Sequence, residues 1–301
     1  MTYTIQIKDE ITKIEDNSPE SLISLCVYLR FNSDITKDKI SIFTENASVA
    51  RWLFKQIKSH YNININLTTR TIKRFKKRNI YILEIKEKLN IIESDINNTF
   101  NNILEASNEE KIAFLKGMFL SCGSISDPKK NQYHLEFLIK DEQDAILVNN
   151  VLISLDFNSK YIKREREYMV YIKSSENISD FINALGAINA LFYFEDIRIY
   201  KDHKNMVNRL NNCEQANVEK AMKTSREVLN NIKYLEDNDL IGLLDDRTKE
   251  IIEYKKRYPE TSLGELADIV SLETDKSITK SGINHHMRKI NELVKRHQNN
   301  H

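Results

Sequence analysis

Two stretches of this 301-residue chain carry the same order of structural signals. A duplicated block limits the fold more than any other feature, because each copy must adopt the same element order. In the first copy, Ser18-Pro19-Glu20 opens a helix, with serine as cap and proline at the first helical position. Leu22, Leu25, Cys26 and Leu29 then share one face. Residues 39–44 read as a strand, and residues 47–61 as a helix with Val49, Leu53, Phe54 and Ile57 at helical spacing. Residues 63–67 alternate with period two and pair with residues 80–85 as a hairpin, and a helix follows near 95–104.

The second copy starts at Glu109, with a helix over 111–120 that ends at Cys122-Gly123. Residues 124–126 are extended, 133–139 form a strand, and 142–155 form a helix. Strands at 161–162 and 168–172 close a hairpin, and helices run over 178–190 and on towards Leu210. Each copy therefore reads αββαββα. An apolar sheet face needs a cover, which the amphipathic helices supply. The fold class expected is α+β: a duplicated αββαββα domain over 1–205, with repeats at about 1–105 and 106–205, followed by an all-α helix-turn-helix domain. Gly117 is expected to let two helices approach closely at the pseudo-axis, and Gly123 to take a left-handed C-cap. Residues 206–240 read as a polar helical linker with a hinge at 236–239, and residues 241–301 as the helix-turn-helix domain.

Composition narrows the function. Six glycines and three prolines disfavour a Gly-looped nucleotide binder, a turn-rich β sandwich and a low-complexity linker. Lys+Arg number 45 against 44 Asp+Glu, so any contact with a polyanion must come from local clustering. Cys26, Cys122 and Cys213 are odd in number and widely spaced, which argues against a disulfide framework or a structural zinc site. The first residues lack a basic stretch followed by an apolar one, and no apolar run reaches the ~18 residues of a membrane helix. A cytoplasmic protein with no cofactor and no membrane partner is expected.

The C-terminus carries the clearest binding pattern. Residues 247–258 form a helix stopped by Pro259, and Ser262 with Glu265 makes a capping box. Leu263, Leu266, Ala267 and Val270 fall at helical spacing. After a linker over 271–278, Thr279 caps a third helix to about residue 296. On that helix Ile283, Met287, Ile290 and Val294 point one way. Ser281, His285, Arg288 and Lys289 point the other way, flanked by Asn284 and Lys280. Basic and amide residues near the start of a third helix suit recognition in a major groove. The candidate DNA contacts are Lys276, Lys280, Ser281, Asn284, His285, Arg288 and Lys289. The competing reading is a protein-interaction module with a solvated polar face. His285 and His286 diverge by roughly 100° on a helix, so they do not share a metal ion.

Residues 114–128, followed by Tyr133-His-Leu-Glu136, resemble the WhiA family of Gram-positive bacterial regulators. So do residues 208–217 and 279–289, in the same order along the chain. The resemblance implies a degenerate LAGLIDADG homing-endonuclease-like domain joined to a helix-turn-helix. It implies roles in cell division, chromosome segregation and transcription regulation, with double-stranded DNA as partner in the nucleoid and another regulator alongside. His286 departs from the arginine usual in the family, which puts one phosphate contact that the resemblance implies in doubt. Homing nucleases hold divalent metals through an acid at the end of each pseudo-axis helix. Here those helices end in Cys122 and near Arg30-Phe31-Asn32, while Asp34 and Asp127 lie in the loops beyond. No catalytic or metal-binding residue is therefore assigned, and the rival is an endonuclease that retains activity with unusual acids.

Two basic hairpins complete the sequence-level picture. Arg70, Lys73, Arg74, Lys77 and Arg78 sit on the first, and Lys160, Lys163, Arg164 and Arg166 on the matching element of the second copy. They form a candidate second DNA surface, against the alternatives of plain solubility or an acidic protein partner. Glu165 and Glu167 interrupt the second patch.

Overall fold

A computed structural model of the chain describes residues 2–14, 18–72, 78–274 and 276–299. By internal contacts it divides into two units, Met1–Asp202 and His203–His301.

The first unit opens with α1 (Tyr3–Ile11). The first repeat follows: α2 (Ser21–Asn32), β1 (Ser33–Ile35), β2 (Ile40–Thr44), α3 (Ala47–Tyr61), β3 (Ile65–Ile72), β4 (Arg78–Ile85) and α4 (Leu89–Asn102). The second repeat is α5 (Asn108–Cys122), β5 (Gly123–Ile125), β6 (Leu135–Ile139), α6 (Glu142–Ser154), β7 (Lys160–Lys163), β8 (Tyr168–Ile172) and α7 (Ser175–Ala184). Each repeat builds a four-stranded antiparallel sheet, in the orders β1-β2-β4-β3 and β5-β6-β8-β7. The duplicated α+β architecture is therefore the one that the sequence predicts.

Register explains how the sheets are covered. Leu135 pairs with Ile172 and Phe137 with Val170, and all four side chains are buried against helices on one face. Phe181 of α7 fixes that layer, with ring centroids 5.9 Å from Phe119, 5.9 Å from Phe137 and 5.8 Å from Phe157. Each such aromatic contributes on the order of 2 kcal/mol by burial.

The two repeats meet along α2 and α5. Ser24 to Leu29 are six consecutive buried residues, and Phe114, Leu115, Met118, Phe119 and Leu120 are buried around α5. A helix enclosed on every side belongs to the core, not to a surface stripe. At their crossing a Cβ on Gly117 would lie 2.5 Å from the Ser24 carbonyl oxygen and 2.8 Å from Val27 Cβ. Ser24 Oγ donates to the Ala113 carbonyl at 2.7 Å across the same contact. Gly117 is thus required for close approach.

Several local expectations need correction. α2 starts at Ser21, with Glu20 at the N-cap making no side-chain cap bond; Ser21 instead donates through its N–H and its hydroxyl to the Ser18 carbonyl. Gly123 is extended, with φ −78° and ψ 145°, not left-handed. Its need is spatial, because a Cβ there would fall 2.6 Å from Phe119 Cα. The helix expected over 178–190 breaks, because Gly186 at φ 76° ends one turn and α8 (Ile188–Asp237) begins. The helical linker expected over 206–240 is continuous with the element before it, as the later part of α8, one helix of 50 residues. Its last turns bury Val228, Ile232 and Leu235 in the core of the second unit. α8 ends at Asp237, and Asp239, with φ 56°, lies within the hinge expected at 236–239.

Sequence reasoning did not find α1. It has only Tyr3, Ile7 and Ile11 as buried positions. Thr4 Oγ1 donates to the Ile125 carbonyl (2.9 Å) and accepts from its N–H (3.0 Å), so α1 satisfies the free edge of β5.

Substituting Gly117→Ala forces the α2–α5 backbones apart, and overpacking of this kind costs about 1–3 kcal/mol. Denaturant unfolding of the first unit measures it; an unchanged midpoint would show that the crossing relaxes freely.

Candidate nucleic-acid interface

The second unit places α9 (Asp246–Arg257), α10 (Leu263–Thr274) and α11 (Lys280–Asn299) around one small core. Each helix begins with a side-chain cap. Asp245 Oδ1 accepts from Thr248 N–H at 2.9 Å. Ser262 N–H donates to Glu265 Oε2 at 2.7 Å, and Ser262 Oγ accepts from Glu265 N–H at 3.2 Å. Thr279 Oγ1 accepts from Gly282 N–H at 3.2 Å. The turn between α10 and α11 is pinned by Ser271 Oγ, which donates to the Ile278 carbonyl (3.2 Å) and accepts from its N–H (2.9 Å).

On α11, Ile283, Met287, Ile290 and Val294 are buried against Leu266, Ala267 and Val270. The opposite face exposes Ser281, His285 and Arg288, with Lys276 and Lys280 exposed near its start and Asn284 half-buried on the flank. Geometry thus gathers six of the seven predicted contacts on or beside one solvent-facing surface. Lys289 differs: it is half-buried, and its Nζ lies 2.7 Å from Asp245 Oδ2.

Asp245 is the hub of a network that the sequence did not reveal. Thr248, fully buried, donates its hydroxyl to Asp245 at 3.0 Å, and its Oγ1 lies 2.7 Å from His286 Nδ1. With the threonine proton on Asp245, His286 supplies the proton on its Nδ1. The Lys289 ammonium and the Thr248 donors hold the Asp245 carboxyl well below the usual carboxylate range. Burial lowers the His286 imidazole below its ordinary value, with Asp245 opposing. The network ties the middle of α11 to the N-terminus of α9, so the outer face of α11 is presented in a fixed orientation. The only forewarning was an Asp three residues before a Thr, the spacing of an N-cap. The rings of His285 and His286 meet edge to face at 5.6 Å. Among the described residues no three His, Cys, Asp or Glu side chains converge as metal ligands would.

The hairpin candidates are less concentrated. Lys160, Lys163 and Arg164 are exposed, but Arg164 lies 3.9 Å from Glu136 Oε2 and Lys163 rests 5.7 Å over the Tyr168 ring. Arg70 pairs with Ile80 on a sheet face that also carries Ile82 and the exposed Phe43. Lys73, Arg74 and Lys77 lie outside the described residues, as does the side chain of Arg78.

The ends of the pseudo-axis helices complete the inventory. α2 ends in Asn32, whose Nδ2 donates to Tyr28 Oη (2.7 Å) and to the Phe43 carbonyl (3.3 Å). α5 ends in Cys122, whose thiol lies 3.6 Å from the Met118 carbonyl and is pushed by burial up to about 11. Beside it, Lys8 Nζ donates to the Leu120 carbonyl at 3.0 Å, its pKa lowered by burial to about 8. An amide, a neutral thiol and an ammonium do not fit a hard divalent cation, which needs carboxylate or carbonyl oxygens. Asp34 sits on β1 opposite Ser41, and Asp127 accepts from Lys129 N–H at 2.9 Å in a turn, both beyond the helix ends.

Two αββαββα repeats around a glycine-tight helix pair, followed by a helix-turn-helix, define the class of a LAGLIDADG-type scaffold joined to a helix-turn-helix domain. The chain belongs to the WhiA family. The family models for the WhiA N-terminal LAGLIDADG-like domain, the WhiA LAGLIDADG-like domain and the WhiA C-terminal HTH domain match residues 20–98, 111–204 and 207–294. A relative named probable cell division protein WhiA, from Bacillus cytotoxicus, is 36% identical over 98% of this chain and 97% of its own length. The crystal structure of full-length DUF199/WhiA from Thermatoga maritima shares the fold, with a TM-score of 0.59, 23% identity, and coverage of 98% and 99% of the two chains. The N-terminal LAGLIDADG domain of DUF199/WhiA aligns at a TM-score of 0.50 and 25% identity, over 62% of this chain and 90% of that one. Among the described residues no helix is long and apolar enough to cross a membrane.

Acid should loosen the second unit by two steps of the same sign. His286 is lowered by folding, so its contribution is complete above the free imidazole value of about 6.5 and fades as pH falls through its folded value. Asp245 is also lowered, so its contribution holds above about 4 and fades below. Thermal melts from pH 7 downward measure both. His286→Gln removes the upper step and Asp245→Asn the lower, and a wild-type profile flat over that range contradicts the network.

Proposed function

We propose that this chain is a non-enzymatic, DNA-binding regulator, with α11 as the helix that enters the major groove. The observation that carries this reading is the division of α11 into a fully buried apolar face and an exposed face bearing Ser281, His285 and Arg288. Arg288 is suited to a bidentate contact with guanine, and Asn284 to adenine. Lys276, Lys280 and the helix start supply phosphate contacts, while Lys289 acts mainly by holding Asp245. The family relationship supports a role in cell division, and extends the proposal to chromosome segregation and transcription regulation at the nucleoid, in concert with another regulator. Arg70, Lys160, Lys163 and Arg164 offer a weaker second DNA surface. The donors at the helix ends, Asn32 and Cys122, support the absence of nuclease chemistry.

Binding by the full chain to duplexes enriched from genome-wide mapping tests the proposal. Arg288→Ala is expected to cost about 1–3 kcal/mol and to relax preference at one base position. Equal loss on all sequences would make Arg288 a phosphate contact. Mg²⁺-dependent cleavage of duplex DNA by the purified chain, abolished by Asp127→Ala, would overturn the non-enzymatic part.

A further inference from the structure

Within the second unit, α8, the turn from α9 to α10 and the first residue of α11 enclose a cavity of about 240 Å³. Three lysines from three helices line it: Lys220 on α8, Lys255 on α9 and Lys280 on α11. No Asp or Glu is among the lining residues. Ala221, Val228 and Leu263 form its apolar wall, and Asn217, Thr224 and Ser262 add polar groups.

Lys255 is only 1% exposed. Its Nζ donates to the Pro259 carbonyl at 3.0 Å and to the Thr261 carbonyl at 2.8 Å. Those bonds use two of its three donors. Burial lowers its pKa, and Glu265 opposes that shift. Lys220 and Lys280 are exposed and join no ion pair among the described residues. Beside Lys220, Glu219 accepts from Gln215 Nε2 at 3.0 Å, and Glu265 serves the Ser262 cap. Ser262 Oγ accepts from Glu265 N–H, which leaves its proton available to donate. Three lysines and Ser262 thus line one opening, and while Glu265 acts on Lys255, Lys220 and Lys280 have no carboxylate partner among the described residues. The missing partner is an oxyanion.

We infer that this cavity seats a backbone phosphate of the duplex whose bases α11 reads, and so makes α8 around residues 217–224 part of the DNA-facing surface. This inference rests on the DNA-binding reading above. A backbone phosphate fits better than a free one because Lys280 belongs to both places: it lines the cavity and is the first residue of the reading helix. A phosphate held by Lys220 and Lys280 would fix how far along the groove α11 sits, without itself selecting a base.

The test is the salt dependence of duplex binding by the full chain. Each phosphate contact contributes about 0.9 to the slope of log affinity against log salt. Lys220→Gln should reduce the slope by about that amount, so that between 50 and 200 mM salt the variant loses roughly 3-fold less affinity than the wild type. The loss at fixed salt should be the same factor on every sequence, unlike that of Arg288→Ala. Ala221→Phe keeps all three lysines but fills the cavity, and should give the same uniform loss. Lys223→Gln, on α8 but outside the cavity lining, should leave the slope unchanged; an equal effect there means general charge and overturns the inference. Circular dichroism confirms that each variant is folded. An unchanged slope in both Lys220→Gln and Ala221→Phe overturns the phosphate seat, while the altered base preference of Arg288→Ala keeps the DNA-binding reading. A wild-type chain that binds no duplex ends both. ATP and inorganic phosphate are titrated without DNA; saturable binding lost in Lys220→Gln, with the DNA slope unaltered, assigns the cavity to a free phosphate compound and overturns the inference.

Discussion

The backbone contact between α2 and α5 at Gly117 is the constraint from which the first unit follows. The Ser24 carbonyl occupies the space where any other residue at 117 would place its Cβ. Two helices so close cannot be held apart by large side chains. Each must instead be enclosed by its own repeat, and that is why Ser24 to Leu29 are buried on every side. The contact also fixes where β1 and β5 begin, because each strand continues directly from the end of its helix. This geometry depends on small residues and backbone, not on metal ligands. A chain of this architecture can therefore carry Asn32 and Cys122 at the helix ends without losing the pairing of its halves. With Lys8 drawn to the Leu120 carbonyl, that junction is served by a tethered ammonium opposite the negative end of α5.

Much of this was legible in the chain. Duplication could be read because strands and helices follow different periods, and because two copies of one order are hard to produce by accident. The face of α11 was legible for the same reason: four apolar residues at a 3.6 period leave no choice about which side is buried. Gly117 could be read because a glycine inside an apolar helix costs stability unless something needs the space. Gly123 was misjudged because sequence does not separate a glycine needed for its φ from one needed for its missing Cβ. The N-terminal helix α1 stayed hidden because its burial depends on Ala190 and Ile125, both more than a hundred residues away.

The polar parts of the site were the least legible. A hydrogen bond between Thr248 and His286 joins residues 38 apart, and nothing local to either one announces it. Lys289 looked like its neighbour Arg288 on a helical wheel. One residue of rotation turns it towards Asp245 and changes it from a free cation to a strut. Lys255 carries no sequence signal of its role either: it is buried, and its ammonium donates to the Pro259 and Thr261 carbonyls in the turn from α9 to α10.

These polar links show how a nearly neutral chain can present a locally cationic helix face. With 45 basic and 44 acidic residues, little attraction to a polyanion comes from overall charge. What matters is which cations are cancelled. Lys289, Lys256 and Arg257 are each paired with an acid in the second unit. Arg288 and Lys280 belong to no such pair among the described residues. Neutralising the cations that serve structure, while leaving those that face outward, gives a local field without a high net charge. That arrangement limits attraction to arbitrary DNA, which scales with the number of phosphates neutralised. Under the proposed DNA-binding role, discrimination would then fall to the few side chains that α11 holds at a fixed angle through Asp245 and Thr248.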